Sequence, residues 1–108
     1  MTFSQSDIDR VMREQGYKCY CCGRPFDNSM DGRPDVHHGV VTRDKRFSKW
    51  LDVAENAIII RHKCHTTDHG RLSNYETRKR VYEWKKQFYD MEAWLDSIPM
   101  RSKERFDA

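Results

Sequence analysis

The chain has 108 residues, of which 34% are charged and 37% hydrophobic, and its mean hydropathy is −0.99. That length suits one domain, 1–108, with a modest core, and so polar a composition calls for a further stabiliser such as a bound metal. No stretch approaches the ~20 apolar residues of a membrane span, and the opening "MTFSQSDIDR" has neither the basic start nor the apolar run of a signal peptide. A soluble, intracellular protein is expected. The net charge of +3 fits a nucleic-acid partner without demanding one.

In chain order, "SQSDIDRVMREQG" offers Ser4 or Ser6 as an N-cap, acids in the first turn, Ile8, Val11 and Met12 on one face, and Gly16 as a stop. These mark a short opening helix. "YKCYCCGRPF" reads as a knuckle with Gly23 and Pro25 as turn residues, followed by the polar connection "DNSMDGRPD". The β-like runs are "VHHGVV" and "AIII", and an antiparallel hairpin is the economical way to join them across a long basic loop holding Trp50 and Leu51. "RHKCHTTDHG" then predicts a short helix ended by Gly70. From about Asn74 to Ile98, Val81, Trp84, Phe88, Met91, Leu95 and Ile98 fall at spacings of three and four. That seam predicts one long amphipathic helix, stopped by Pro99 and followed by a frayed tail, 99–108.

All five histidines lie between positions 37 and 69. On a strand His37 and His38 point to opposite faces, so they cannot do the same job from the same side. His65 and His69, at i and i+4 of one helix, can close on a single divalent ion. In a reducing compartment Cys19, Cys21, Cys22 and Cys64 read as metal ligands or free thiols rather than disulfides.

Read together, "DVHH", "ENAIII" and "KCHTTDH" resemble the HNH or ββα-metal nuclease family, in the doubled-histidine variant seen in colicin-type DNases. The likeness covers about Tyr17 to Gly70, and the intervals from Asn56 to His65 and from His65 to His69 match that pattern. The resemblance implies a small α+β fold, a β-hairpin and helix around a divalent metal, flanked here by the opening helix and the long C-terminal helix. It implies metal-dependent hydrolysis of DNA phosphodiester bonds. His37 would be a ligand where many members carry Asp, with His65 and His69 completing the set, and His38 would be the general base. Asn56 would support the loop and help orient that base. An all-histidine set suits Zn, Ni, Mn or Co better than Mg. Asp35 and Asp68 read as solvated acids or as partners of imidazole N–H groups.

Many members of that family also carry a structural zinc held by two CxxC knuckles. Here Cys19 and Cys22 supply the first, whereas the second is broken, with Arg61 in place of its first cysteine and Cys64 in place of its second. Either His62 or Cys21 is left to act as a fourth ligand, or the cysteines are simply buried small hydrophobes. The segments "TRDKRFSKW" and "RLSNYETRKR" flank the histidines, which points Arg43, Lys45, Arg46, Lys49, Arg71 and Arg78 at DNA phosphates. Small free-standing HNH proteins are frequent in bacteriophages, and weak intrinsic specificity would call for a protein partner. Two other readings stand beside the DNase: a non-catalytic, zinc-stabilised nucleic-acid-binding module, and an RNA-cutting member of the same group. Nicking or double-strand cleavage depends on whether the protein is a monomer or a dimer, for which the seam from Val81 to Ile98 is the candidate contact.

Overall fold

The structure is a computed structural model that describes residues 3–101 and 103–106, and the side chain of His69 lies outside the described residues. Helix α1, Gln5–Glu14, begins where the Ser4 hydroxyl accepts from the Asp7 amide at 3.2 Å. It ends at Gly16, whose φ of +64° is open to glycine at little cost, and Tyr17 continues the reversal at φ +62°. The chain then forms the cysteine knuckle and runs into β1, Pro34–His38, which pairs antiparallel with β2, Ala57–Arg61. The register sets His37 opposite Ile58 and His38 opposite Ala57.

β2 is buried along its whole length, which is why it reads as an unbroken apolar run rather than an alternating one. Ile58 and Ile60 face a cluster with Val81, Met91, Leu95 and Ile98, whereas Ala57 and Ile59 face Phe3, Val11 and Ala54 beneath α1. The outer edge of β2 is not left open. Gln15 accepts from the Ile59 amide and donates to the Ile59 carbonyl, both at 2.8 Å, and the Tyr20 amide donates to that carbonyl as well. Covering an edge in this way removes a template for aggregation.

β1 is shorter than the apolar run "VHHGVV" predicts, stopping at His38. Beyond it the Val40 and Val41 amides donate to the Asn56 side chain instead of to a neighbouring strand. A side chain at Gly39 would meet Val81 and Ile58 at 3.1–3.2 Å, so the chain bends where only glycine packs comfortably. The basic loop between the strands is mostly coiled into short helical turns: Lys45–Phe47, then α2, Ser48–Leu51, and Ala54–Asn56.

After β2 the predicted single helix is split. α3, His62–Thr67, breaks at Asp68, and α4, His69–Leu72, begins at once, so that Gly70 lies inside a helix and ends nothing. The long C-terminal helix is also two helices: α5, Tyr75–Lys85, and α6, Met91–Ser97. The Lys85 carbonyl accepts from both the Phe88 and Tyr89 amides, tightening the end of α5, and Asp90 caps α6 by accepting from the Ala93 amide. Lys85, fully buried, is paired with Glu14 of α1 at 2.8 Å and anchors that corner. Nor does the tail fray among its described residues. Phe106 is buried against Tyr75 and Tyr82, and Glu104 pairs with Arg78 at 2.7 Å. No helix of the described residues is long and apolar enough to cross a membrane.

Candidate functional site

Two groups of side chains stand out: three cysteines drawn together at a knuckle, and histidines of β1 and α3 that line a cleft. The first is the knuckle. Gly23, at φ +74°, turns the chain so that the Cys19 amide meets the Arg24 carbonyl, and Lys18 bridges to Pro25. This local fold and the start of α3 bring the sulfurs of Cys19, Cys22 and Cys64 within 4.8 Å of one another, close enough to share one metal ion. Backbone amides of Cys21, Cys22 and Arg61 lie 3.3–3.5 Å from Cys19 Sγ and hold that sulfur in place.

The three sulfurs compete over one another's charge. Burial raises the Cys22 thiol, but a hydrogen bond from the Arg24 backbone and bonds from the neighbouring thiols outweigh it, leaving Cys22 below its ordinary value. Cys64 is pushed well above its own by burial and by its sulfur neighbours. Such crowding is what a bound cation relieves.

Neither fourth ligand offered by the sequence is in place. His62 turns the other way, with Nδ1 2.7 Å from Asp35 Oδ2. Cys21 sits outside the close group, its thiol 3.5 Å from Asp68, and burial first and then that carboxylate raise it. Arg61, where the family pattern has cysteine, is 8% exposed and reaches Asp27 at 3.5 Å.

The second cluster lines a cleft of about 930 Å³ that runs along β1 and takes in His37, His38, His62, His65, Asp35 and Arg43. β1 alternates as a strand must. Val36 packs toward the α1 side and His38 lies against Phe3 with ring centroids 4.8 Å apart, whereas Asp35 and His37 face α3. The cleft wraps the strand, so both histidines reach it from opposite faces. The His37 and His65 ring centroids are 5.4 Å apart. Two imidazoles on one tetrahedral ion, with metal–nitrogen bonds of about 2 Å, have centroids roughly 5 Å apart. His69, the third ligand implied by the resemblance, lies outside the described residues as a side chain, and the break at Asp68 puts it on a different helix from His65.

Asp35 is the organising acid of this face. Its Oδ2 accepts from His62 at 2.7 Å and from His65 at 3.1 Å. Burial raises its carboxyl, but the two histidines pull it below the usual carboxylate range. Asp35 thus engages the Nδ1 side of the His65 ring. Asp68 is turned instead toward Cys21 and Arg71.

Asn56 is fully buried and spends its whole hydrogen-bonding capacity on the backbone. Its oxygen accepts from Val40 and Val41, and its nitrogen donates to the Val41 and Leu51 carbonyls at 3.0 and 3.1 Å. It thus ties the chain that follows His38 to the end of α2. There stands Asp52, which sequence reasoning missed: its Oδ1 lies 2.7 Å from His38 Nε2. Nothing in the fourteen positions separating Asp52 from His38 signals that contact.

Of the basic residues, Arg43, Lys45, Arg46, Lys49 and Arg71 are exposed. Arg43 lines the cleft, Arg46 is chelated by Asp44, and Arg71 is paired with Asp68. Arg78 is a correction to the phosphate-contacting set. Its guanidinium is buried, bound to the Ser73 and Val40 carbonyls and to Glu104. Comparison of the chain with protein families, with curated proteins and with solved structures finds no match.

Proposed function

We propose that the protein is a metal-dependent endonuclease of the HNH type that hydrolyses phosphodiester bonds in DNA. The observation that carries this reading is the convergence on one cleft of His37, His38 and His65, with Asn56 clamping the loop behind them. A purely structural module stabilised at the cysteines has no use for this second set of imidazoles.

His37 and His65, with ring centroids 5.4 Å apart, would hold a divalent ion between them. A metal there would supply positive charge to the phosphate and to the departing oxygen. His38 does the proton chemistry: the lone pair of a neutral imidazole takes a proton from the attacking water. Arg43 in the cleft and Lys45, Lys49 and Arg71 outside it hold the strand by its phosphates, which positions DNA without reading its sequence. Specificity then falls to a partner protein. The cysteine cluster is read as a structural zinc site with three protein ligands.

The test is nicking of supercoiled plasmid by protein stripped with chelator and resupplied with Mg, Mn, Co, Ni or Zn, run beside His38→Ala. Nicking restored by metal in the wild type and reduced about 10²- to 10⁴-fold in the variant is the expected result. DNA binding with no cleavage under any metal would point instead to the non-catalytic module, and cleavage of matched RNA alone to the ribonuclease.

A further inference from the structure

The contact between His38 and Asp52 reaches beyond the base itself and rests on the nuclease reading given above. Both side chains are mostly withdrawn from water, at 16% and 9% exposure, and the Phe3 ring lies against the imidazole. A carboxylate only accepts, so at 2.7 Å the Nε2 of a neutral His38 must carry its proton toward Asp52 Oδ1. That leaves Nδ1 with the lone pair.

The pair is not a chance meeting of flexible side chains. Asp52 closes α2, its amide donating to the Ser48 carbonyl at 2.9 Å. The residue before it, Leu51, is held through its carbonyl by Asn56, which also holds Val40 and Val41 just beyond His38. One buried amide therefore fixes both backbone segments that carry the pair. Among the described residues Asp52 accepts no other hydrogen bond that would explain so buried a carboxylate, and the cleft reaches His38 whereas Asp52 is not among the residues that line it.

We propose that Asp52 is a positioning residue, holding His38 in the Nε2–H tautomer so that Nδ1 is the atom that accepts the proton of the attacking water. Asp52 touches neither DNA nor metal and acts only through the imidazole. The arrangement follows the general logic of a base oriented by a third group.

The experiment uses the full chain labelled with ¹⁵N and reads the imidazole nitrogens of His38 by long-range proton–nitrogen correlation, in the wild type, Asp52→Ala and Asp52→Asn. The asparagine variant keeps the shape of the site if the alanine variant fails to fold. Its amide donates as readily as it accepts, so it no longer dictates the tautomer. The wild type is expected to show a single Nε2–H form, and each folded variant to lose it. Plasmid nicking by the same samples should fall about 10²-fold in kcat with KM little changed. Unchanged His38 nitrogen shifts in a folded variant would overturn the proposal. A tautomer lost on substitution, in a wild-type protein that shows no nicking under any of the metals, would support the Asp52–His38 coupling while removing the nuclease reading.

Discussion

The cysteine knuckle and the histidine cleft of this small protein are prepared in opposite ways. At the knuckle, backbone does the work: Gly23, the Lys18 to Pro25 bridge and three amides aimed at Cys19 Sγ bring three sulfurs within sharing distance. In the cleft, side chains do it: Asp35 engages His65, Asp52 engages His38, and Asn56 fixes the loops. The first arrangement ties the N-terminal third of the chain to β2 and α3, so its loss should fall on stability. The second leaves nitrogens disposed along an open cleft, so its loss should fall on chemistry.

The sharpest way to break this contrast is at Cys19, which is 3% exposed and central to the knuckle. A structural metal contributes folding free energy directly, on a scale comparable with the ~5–15 kcal/mol that holds a whole domain. Cys19→Ser should therefore lose bound zinc, measured by native mass spectrometry, and be largely unfolded by circular dichroism at 25 °C. Chelator should do the same to the wild type. Cys21→Ser, outside the close group of sulfurs, should keep its metal and its fold. If Cys19→Ser melts like the wild type, the cysteines are merely small hydrophobes.

Asn56 is assigned to the site only by the resemblance but to stability by its contacts, and so tests whether the division holds. Truncation leaves the Val40 and Val41 amides and the Leu51 carbonyl buried without their partner. At about 1–3 kcal/mol for each unsatisfied group, partly offset by water entering the space, Asn56→Ala should cost about 3 kcal/mol in denaturant unfolding. His38→Ala should cost less, about 1–2 kcal/mol, because it leaves a single group, the Asp52 carboxylate, without the partner it has among the described residues, and the space it opens adjoins the cleft. A similar stability loss in both would erase the distinction between frame and reagent.

How legible all this was depends on how far each signal travels along the chain. Ser4 and Gly16 bracket α1 because caps are local, and the antiparallel pair was readable because β2 is apolar on both faces. The split between α5 and α6 was not, because the apolar seam runs through Lys86 to Asp90 without losing step. Only the capping role of Asp90 marks the new start, and an aspartate before Met-Glu-Ala is easily passed over inside a strong period. Gly70 misled for the converse reason: a glycine is a permissive residue, not an obligatory stop. At the site, the spacing of His37, His38, Asn56 and His65 was visible, whereas Asp52 is a loop acid whose meaning exists only once Asn56 has folded the loop.

The same limit applies to charge, and it sets the smallest of the expected effects. Arg43 and Arg78 look alike in a sequence rich in cations, yet one lines the cleft and the other is a buried strut between α5, Val40 and the tail. Arg43→Ala should leave unfolding within about 0.5 kcal/mol of the wild type and lower the slope of log affinity against log salt by about one, the signature of one lost phosphate contact. Arg78→Ala should do the reverse. It removes bonds to two backbone carbonyls and to Glu104, for a cost of about 2 kcal/mol, with the salt slope of the folded protein unchanged. DNA binding titrated from low to moderate salt, beside urea unfolding of the same two variants, separates the cases. An unaltered slope in Arg43→Ala would count against the proposed DNA path along β1, in which the strand passes this guanidinium.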